Sequence, residues 1–257
     1  MDFTAPFSSA QGMVRFIQGT RRRKKDLMVG NEGPEGSGKS TTSGNLARTI
    51  DPSFDMRRDT IKDMDHLLQV LHEANKHSLY VLDEAVNVFH NQDWATWEAK
   101  HLSKIIRQMR IMESVWILNI PDFDGLHPYV RSVRIPLRIY HPPVYDADGM
   151  GNGPSQVFWK HQWFSFKEQR VVNRWQCIID EFHVPTLDAL PEWQAYETDK
   201  VVNFQALVAD MMARRAMEKA KEQRQHNKLG ETGAGANTTL LLRSRVPKKP
   251  TKDGPFD

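Results

Sequence analysis

The chain has 257 residues, a formal net charge of +3, 39% hydrophobic residues and a single cysteine, Cys177. This is enough apolar material for a globular core, and one cysteine excludes an intramolecular disulfide. No apolar run is long enough for a membrane span and the first residues lack the order of a signal peptide, so the expected location is cytoplasmic.

Residues 1–25 open with small and polar side chains, pass through a mildly amphipathic stretch at 11–20 and close on the block Arg21, Arg22, Arg23, Lys24, Lys25. They read as a basic N-terminal extension. The core is expected to begin with a strand over 26–31, followed at once by residues 33–40, GPEGSGKS, which fit the phosphate-binding pattern G-x-x-x-x-G-K-[S/T]. A triphosphate needs backbone N–H groups converging on it, which requires that side chains be missing at Gly33, Gly36 and Gly38. The expected binding loop is Gly33, Pro34, Glu35, Gly36, Ser37, Gly38, Lys39, Ser40 and Thr41. Lys39 would reach the β and γ oxygens, the Ser40 hydroxyl would take a place on Mg²⁺, and the helix over 40–50 would aim its positive end at the phosphates. ATP and Mg²⁺ are therefore the expected cofactors. Asp51-Pro52 stops that helix, since proline cannot continue one.

A short strand is expected within 56–61 and a helix over 63–75 with Leu67, Leu68, Val70 and Leu71 at helical spacing; a strand over 78–83 follows. That strand, SLYVLD, ends in two carboxylates, Asp83 and Glu84, the form of a Walker B segment. Lying next to the P-loop strand, Asp83 would share the Mg²⁺ with Ser40, and Glu84 would polarise a water for in-line attack on the γ-phosphate. Alone, an Asp-Glu pair at a strand end is often just solvated; downstream of a P-loop it implies hydrolysis.

Residues 94–112 read as a long helix with Trp97, Leu102, Ile105, Ile106 and Met109 on its apolar stripe, then a buried strand over 115–120, VWILNI. In that run the amide of Asn119 needs a partner, and a catalytic sensor contact to γ-phosphate or attacking water is expected in preference to a structural hydrogen bond. After a turn and short helix over 123–130, a fifth strand is expected over 133–140. Alternating helices and near-continuous apolar strands imply a mostly parallel sheet covered on both faces. Phosphoryl transfer also gains from a guanidinium, often supplied by a neighbouring subunit. The candidates are Arg107 and Arg110 before the sensor strand, and Arg131 and Arg134 before the next; Arg110 and Arg134 head the two pairs.

Residues 141–154 read as loop, and 156–166, QVFWKHQWFSF, as an antiparallel strand or hairpin whose aromatics pack on the sheet rather than stack on bases. Cys177 reads as buried apolar filler. Residues 201–225 look helical. From 214 to 257 there are eleven Lys or Arg against five Asp or Glu, a net +6 that leaves −3 for the rest. Such a tail suits contact with a polyanion such as DNA, or only solubility. The expected organisation is an extension over 1–25, a P-loop ATPase domain over 26–205, a C-terminal helix over 206–229 and a disordered basic tail over 230–257.

The run GPEGSGKST, the segment YVLDEA, Gln92-Asp93-Trp94, the basic stretch 104–110 and WILNIPDFDGL with Arg131 and Arg134 together resemble P-loop ATPases of archaea, bacteriophages and archaeal viruses near the FtsK/HerA group, which includes zonula occludens toxin-like proteins. The resemblance covers about 27–140. It implies a RecA-like core of the additional-strand (ASCE) type, to which the segments over 156–166 and 201–225 add an expected β-hairpin and helical C-terminal appendage. It further implies a homo-oligomeric ring with the arginine in trans, DNA translocation or packaging, and a host cytoplasm if the chain is phage or viral. By that resemblance Lys39 and Ser40 match Walker A, Asp83 and Glu84 match Walker B, and Asn119 stands where the group usually carries Gln; an arginine expected near Gln92 is missing. A nucleoside or small-molecule kinase, and a nucleotide-switched assembly factor, are the alternatives.

Overall fold

The computed structural model describes residues 5–73, 78–89, 97–146, 149–152, 154–165, 167–182 and 191–233. Gln92, Asp93 and Trp94, the start of the helix expected over 94–112, Phe166 and most of the tail, 234–257, lie outside the described residues.

The chain divides into two compact units, Met1–Thr198 and Asp199–Asp257. The first is built on a seven-stranded sheet of order β2-β3-β4-β1-β5-β8-β9. Its five-strand parallel part comprises β1 (Leu27–Glu32), β2 (Thr60–Ile61), β3 (Leu79–Leu82), β4 (Val115–Ile120) and β5 (Leu137–Tyr140). Alternation along the strands divides the side chains into two cores. Leu27, Val29, Leu79, Val81, Val115 and Ile117 face a core shared with α1 (Ala10–Arg22) and α2 (Lys39–Ile50). Met28, Tyr80, Leu82, Trp116, Leu118 and Ile120 face a second core that takes in Leu67 and Val70 of α3 (Met64–Glu73), Ala85 and Val88 of α4 (Ala85–Val88) and Ile106 of α5 (Trp97–Gln108). The period-2 alternation thus buries both faces, as a mostly parallel α/β sheet requires.

The register settles where the two carboxylates stand. β4 pairs with β1 on one side and β3 on the other, so β3, which leads to Asp83 and Glu84, is not next to β1; β4 lies between them and carries Asn119 opposite Asn31. This corrects the adjacency expected from sequence and is the strand order of an additional-strand P-loop core.

Further differences have local causes. Residues 130–134 form a π-helical turn, Val130–Arg134, so the fifth strand starts only at Leu137; Ile135 N–H donates back to Val130 O at 3.2 Å. The stretch read as loop contains a separate hairpin, β6 (Pro143–Asp146) with β7 (Gly149–Asn152). The aromatic segment is β8 (Ser155–Ser165), antiparallel to β5, and its partner β9 (Arg170–Phe182) was not foreseen. Cys177 lies on β9 and is exposed rather than buried filler, because β9 is the edge of the sheet. Residues 1–25 contain α1, held at its start by the Ser9 side chain accepting from Gly12 N–H, with Met13 and Ile17 fully buried against α2 and the sheet.

A single helix, α6 (Pro191–Gly233), begins in the first unit and continues into the second. Within the second unit Val201, Val202, Phe204, Met211, Met212 and Met217 are exposed, as are Arg214, Arg215, Lys219 and Lys221.

Candidate nucleotide and metal site

The site lies at the carboxyl ends of β1, β3 and β4, where open parallel sheets place ligands. β1 runs straight into the glycine loop. Gly36 and Gly38 adopt φ of +75° and +83°, left-handed values that a side chain would strain. Gly38 is also the N-cap of α2, and without a side chain it places no capping group between the start of that helix and the loop. Gly33 is glycine for want of space: a Cβ there would lie 2.6 Å from Ser37 Oγ, 2.7 Å from His141 Cβ and 2.9 Å from the His141 carbonyl oxygen.

The loop's polar atoms point to a ligand. Ser37 is 4% exposed and its hydroxyl has no hydrogen-bond partner. Lys39 Nζ donates to the Gly33 and Pro34 carbonyls at 2.7 and 2.6 Å, holding the ammonium across its own loop. The Ser40 hydroxyl donates to Asp83 Oδ1 at 3.3 Å, so the two hard oxygens expected to share Mg²⁺ are already side by side. This oxygen pair beside an anion cradle fits a nucleotide-bound magnesium, with Ser40 and Asp83 as the residues that would hold it.

Asn119 and Asp83 meet: Asn119 Nδ2 donates to Asp83 Oδ1 at 2.8 Å. The Asn119 carbonyl oxygen accepts from Asn31 Nδ2 at 2.8 Å and from the Ser43 hydroxyl. Asn31 Nδ2 also donates to the Lys39 carbonyl at 2.7 Å and to Ser43 Oγ at 2.8 Å, tying β1 to the first turns of α2. The chain continues beneath the loop. His141 Nε2 bonds the remaining Asn31 oxygen at 2.7 Å, so Nε2 carries the proton, and Nδ1 accepts from the Ser155 hydroxyl at 2.8 Å. Burial, helped by the Lys39 charge, lowers the His141 pKa to about 4, which keeps this tautomer neutral. At the other end, the Tyr196 hydroxyl donates to Asp83 Oδ2 at 2.5 Å; burial and then the Asp83 charge raise its pKa.

Glu84 follows Asp83 in a left-handed backbone (φ 57°, ψ 53°) as the N-cap of α4, with an exposed side chain. Such a conformation in a non-glycine residue costs on the order of 1 kcal/mol.

The arginines are elsewhere. Arg134 pairs with Asp26 at 2.7 Å and its side chain is 8% exposed. Asp26 immediately precedes β1, so this pair stands about 20 Å from the glycine loop, at the amino end of the sheet. Exposed Arg110 lines the same cleft of about 410 Å³, with Asp26, Arg134 and Lys160. Arg107 lies over the Tyr129 ring at 5.2 Å and Arg131 pairs with Asp124. Among the described residues, these contacts join none of the four arginines to the glycine loop of the same chain.

Asn31, Ser43, His141 and Tyr196 were not singled out in the sequence. Asn31 carried a usable signal, an amide in a buried apolar strand, the same signal that marked Asn119. The other three depend on tertiary approach and had none.

No protein-family model matches this chain, and no curated protein matches it. Among solved structures it is similar to the genome packaging NTPase B204 from Sulfolobus turreted icosahedral virus 2 in complex with ATP-gammaS, at 11% identity and a TM-score of 0.39 over 59% of this chain and 98% of that one. It is also similar to the N-terminal domain of zonular occludens toxin from Neisseria meningitidis, at 13% identity and a TM-score of 0.38 over 59% of this chain and 94% of that one. A third is B204, the DNA-packaging ATPase from Sulfolobus Turreted Icosahedral Virus, at 12% identity and a TM-score of 0.36 over 62% of this chain and 98% of that one. The fold assignment rests on the strand order and the loop geometry, not on these distant likenesses.

Proposed function

We propose that this protein binds ATP with Mg²⁺ and hydrolyses it to move or package DNA. The observation that carries the hydrolytic reading is the convergence of Ser40, Asp83 and Asn119 beside a glycine loop that holds an unpartnered Ser37 hydroxyl. Lys39 would neutralise phosphate oxygens, Ser40 and Asp83 would hold the metal, and Glu84 would take the proton of the attacking water. Mg²⁺ supplies charge stabilisation on the phosphates. Asn119, whose carbonyl is committed to Asn31 and Ser43, serves this site by holding Asp83. The motifs that resemble FtsK/HerA-type ATPases and the exposed Arg214, Arg215, Lys219 and Lys221 of α6 support DNA as the partner. Within this reading the arginine comes from a neighbouring subunit of a ring; Arg110, exposed, is the better placed of the two leading candidates, since Arg134 is engaged by Asp26.

The test is phosphate release with and without single- and double-stranded DNA, on the wild type and on Glu84→Gln. Release that DNA stimulates and that Glu84→Gln abolishes is expected. A folded protein that binds ATP yet releases no phosphate under either condition refutes the hydrolytic reading. Release indifferent to DNA refutes the DNA partner alone.

A further inference from the structure

Asp83 is 6% exposed, so each carboxylate oxygen needs a donor, and the two are supplied from different parts of the chain. Oδ1 takes Asn119 and Ser40 from the sheet and α2. Oδ2 takes the hydroxyl of Tyr196, from the second turn of α6. The Tyr196 ring is fully buried, stacks with Trp193 at a centroid distance of 5.6 Å and an angle of 36°, and has Lys62 Nζ 5.4 Å from its face. A phenol has only two side-chain torsions, and packing fixes both, so its hydroxyl is a rigid stop for the carboxylate.

We propose that Tyr196 is a positioning residue for the metal carboxylate: by holding Asp83 Oδ2 it keeps Oδ1 turned toward Ser40, so that the start of α6 completes the magnesium site. The proposal rests on the reading of Ser40 and Asp83 as the Mg²⁺-holding pair. Mg²⁺ demands near-ideal octahedral geometry, so rotation of a ligand carboxylate about its Cβ–Cγ bond translates directly into lost affinity. A tyrosine that merely filled the core would need no hydroxyl at this spot.

The experiment titrates a fluorescent ATP analogue into the full chain, first in EDTA and then across a Mg²⁺ series, for wild type, Tyr196→Phe and Trp193→Phe. Tyr196→Phe keeps the ring and removes the donor. It is expected to leave binding in EDTA unchanged while raising the Mg²⁺ concentration for half-maximal tightening about tenfold. Trp193→Phe, which keeps both the hydroxyl and an aromatic neighbour for the ring, is expected to follow the wild type. In an Asp83→Asn background Tyr196→Phe is expected to add nothing, whereas a packing role alone would give additive losses. Wild-type Mg²⁺ dependence in Tyr196→Phe, or additivity with Asp83→Asn, overturns the proposal. If the wild type itself shows no Mg²⁺ dependence, the assignment of Ser40 and Asp83 fails first, and the role of Tyr196 falls with it.

Discussion

The two ends of β1 both carry buried charge, and they handle it differently. At the amino end Asp26 is answered by Arg134, and the nearby Lys160 ammonium donates to the carbonyls of Arg131 and Ser132 at 3.4 and 3.0 Å. Charge there is neutralised inside the protein. At the carboxyl end Glu32 is likewise answered, by Arg138 of β5, but the Ser37 hydroxyl has no partner, Lys39 donates to loop carbonyls, and a line of hydrogen bonds from Ser155 to Asp83 orders the groups around the loop. One end is closed by its ion pair; the other adds to its own pair a buried hydroxyl without a partner beside a left-handed glycine loop, an arrangement a ligand would complement.

Substitutions that break this contrast should separate binding from folding. The largest effect is expected for Glu84→Gln, which should slow phosphate release about 10²–10⁴-fold while an equilibrium titration shows ATP still bound. Next, Lys39→Ala should weaken ATP binding about 100-fold or more, since it removes a charged donor from the phosphates, and calorimetry should show thermal stability little changed. At the other end, Arg134→Met leaves Asp26 buried and alone, and should cost about 3 kcal/mol in urea unfolding with turnover per folded molecule intact. A collapse of turnover instead would make Arg134 the trans arginine and erase the contrast.

His141 gives a pH test of the ordered end. Its folded pKa is depressed to about 4 from 6.5, so at neutral pH both states are deprotonated and nothing is lost. As pH falls from 6.5 toward 4, only the unfolded state takes up the proton, and up to about 3 kcal/mol of stability should disappear. Unfolding free energies at several pH values should show this slope, and His141→Asn should flatten it relative to wild type. The smallest effect belongs to exposed Cys177: Cys177→Ser should change stability by less than about 0.5 kcal/mol, and the native thiol should react with a maleimide.

Much of the sheet was legible because β1, β3 and β4 are short apolar runs bounded by polar or Pro residues, and residues 115–120 were recovered as the strand observed. The glycine loop was legible because its chemistry restricts which residues can stand there. Residues 133–136 were not, since Val133 and Ile135 read as the start of the fifth strand by composition, whereas Val133 lies in the π-turn Val130–Arg134 and Ile135 packs in the second core at its exit. β9 escaped notice because its run carries Arg174, Gln176, Asp180 and Glu181 as an edge strand does, diluting the alternation. In the site, local motif residues were found and long-range ones were not: Tyr196 lies 113 positions from the carboxylate it touches, and nothing near it in sequence announces that contact.

The glycines of the loop do not bear the same witness. At Gly36 nothing lies within 4 Å of where a Cβ would be, so only its left-handed backbone, and whatever must approach that backbone, asks for glycine. Gly33 is closed by the fold itself: trimming both Ser37 and the His141 side chain would relieve two of the three collisions, but the carbonyl oxygen of His141 would remain, and no substitution removes a backbone atom. A descendant of this protein that had abandoned nucleotides altogether would therefore keep only the backbone strain as a reason for Gly36, a cost a reshaped loop could shed, yet would still be obliged to keep Gly33.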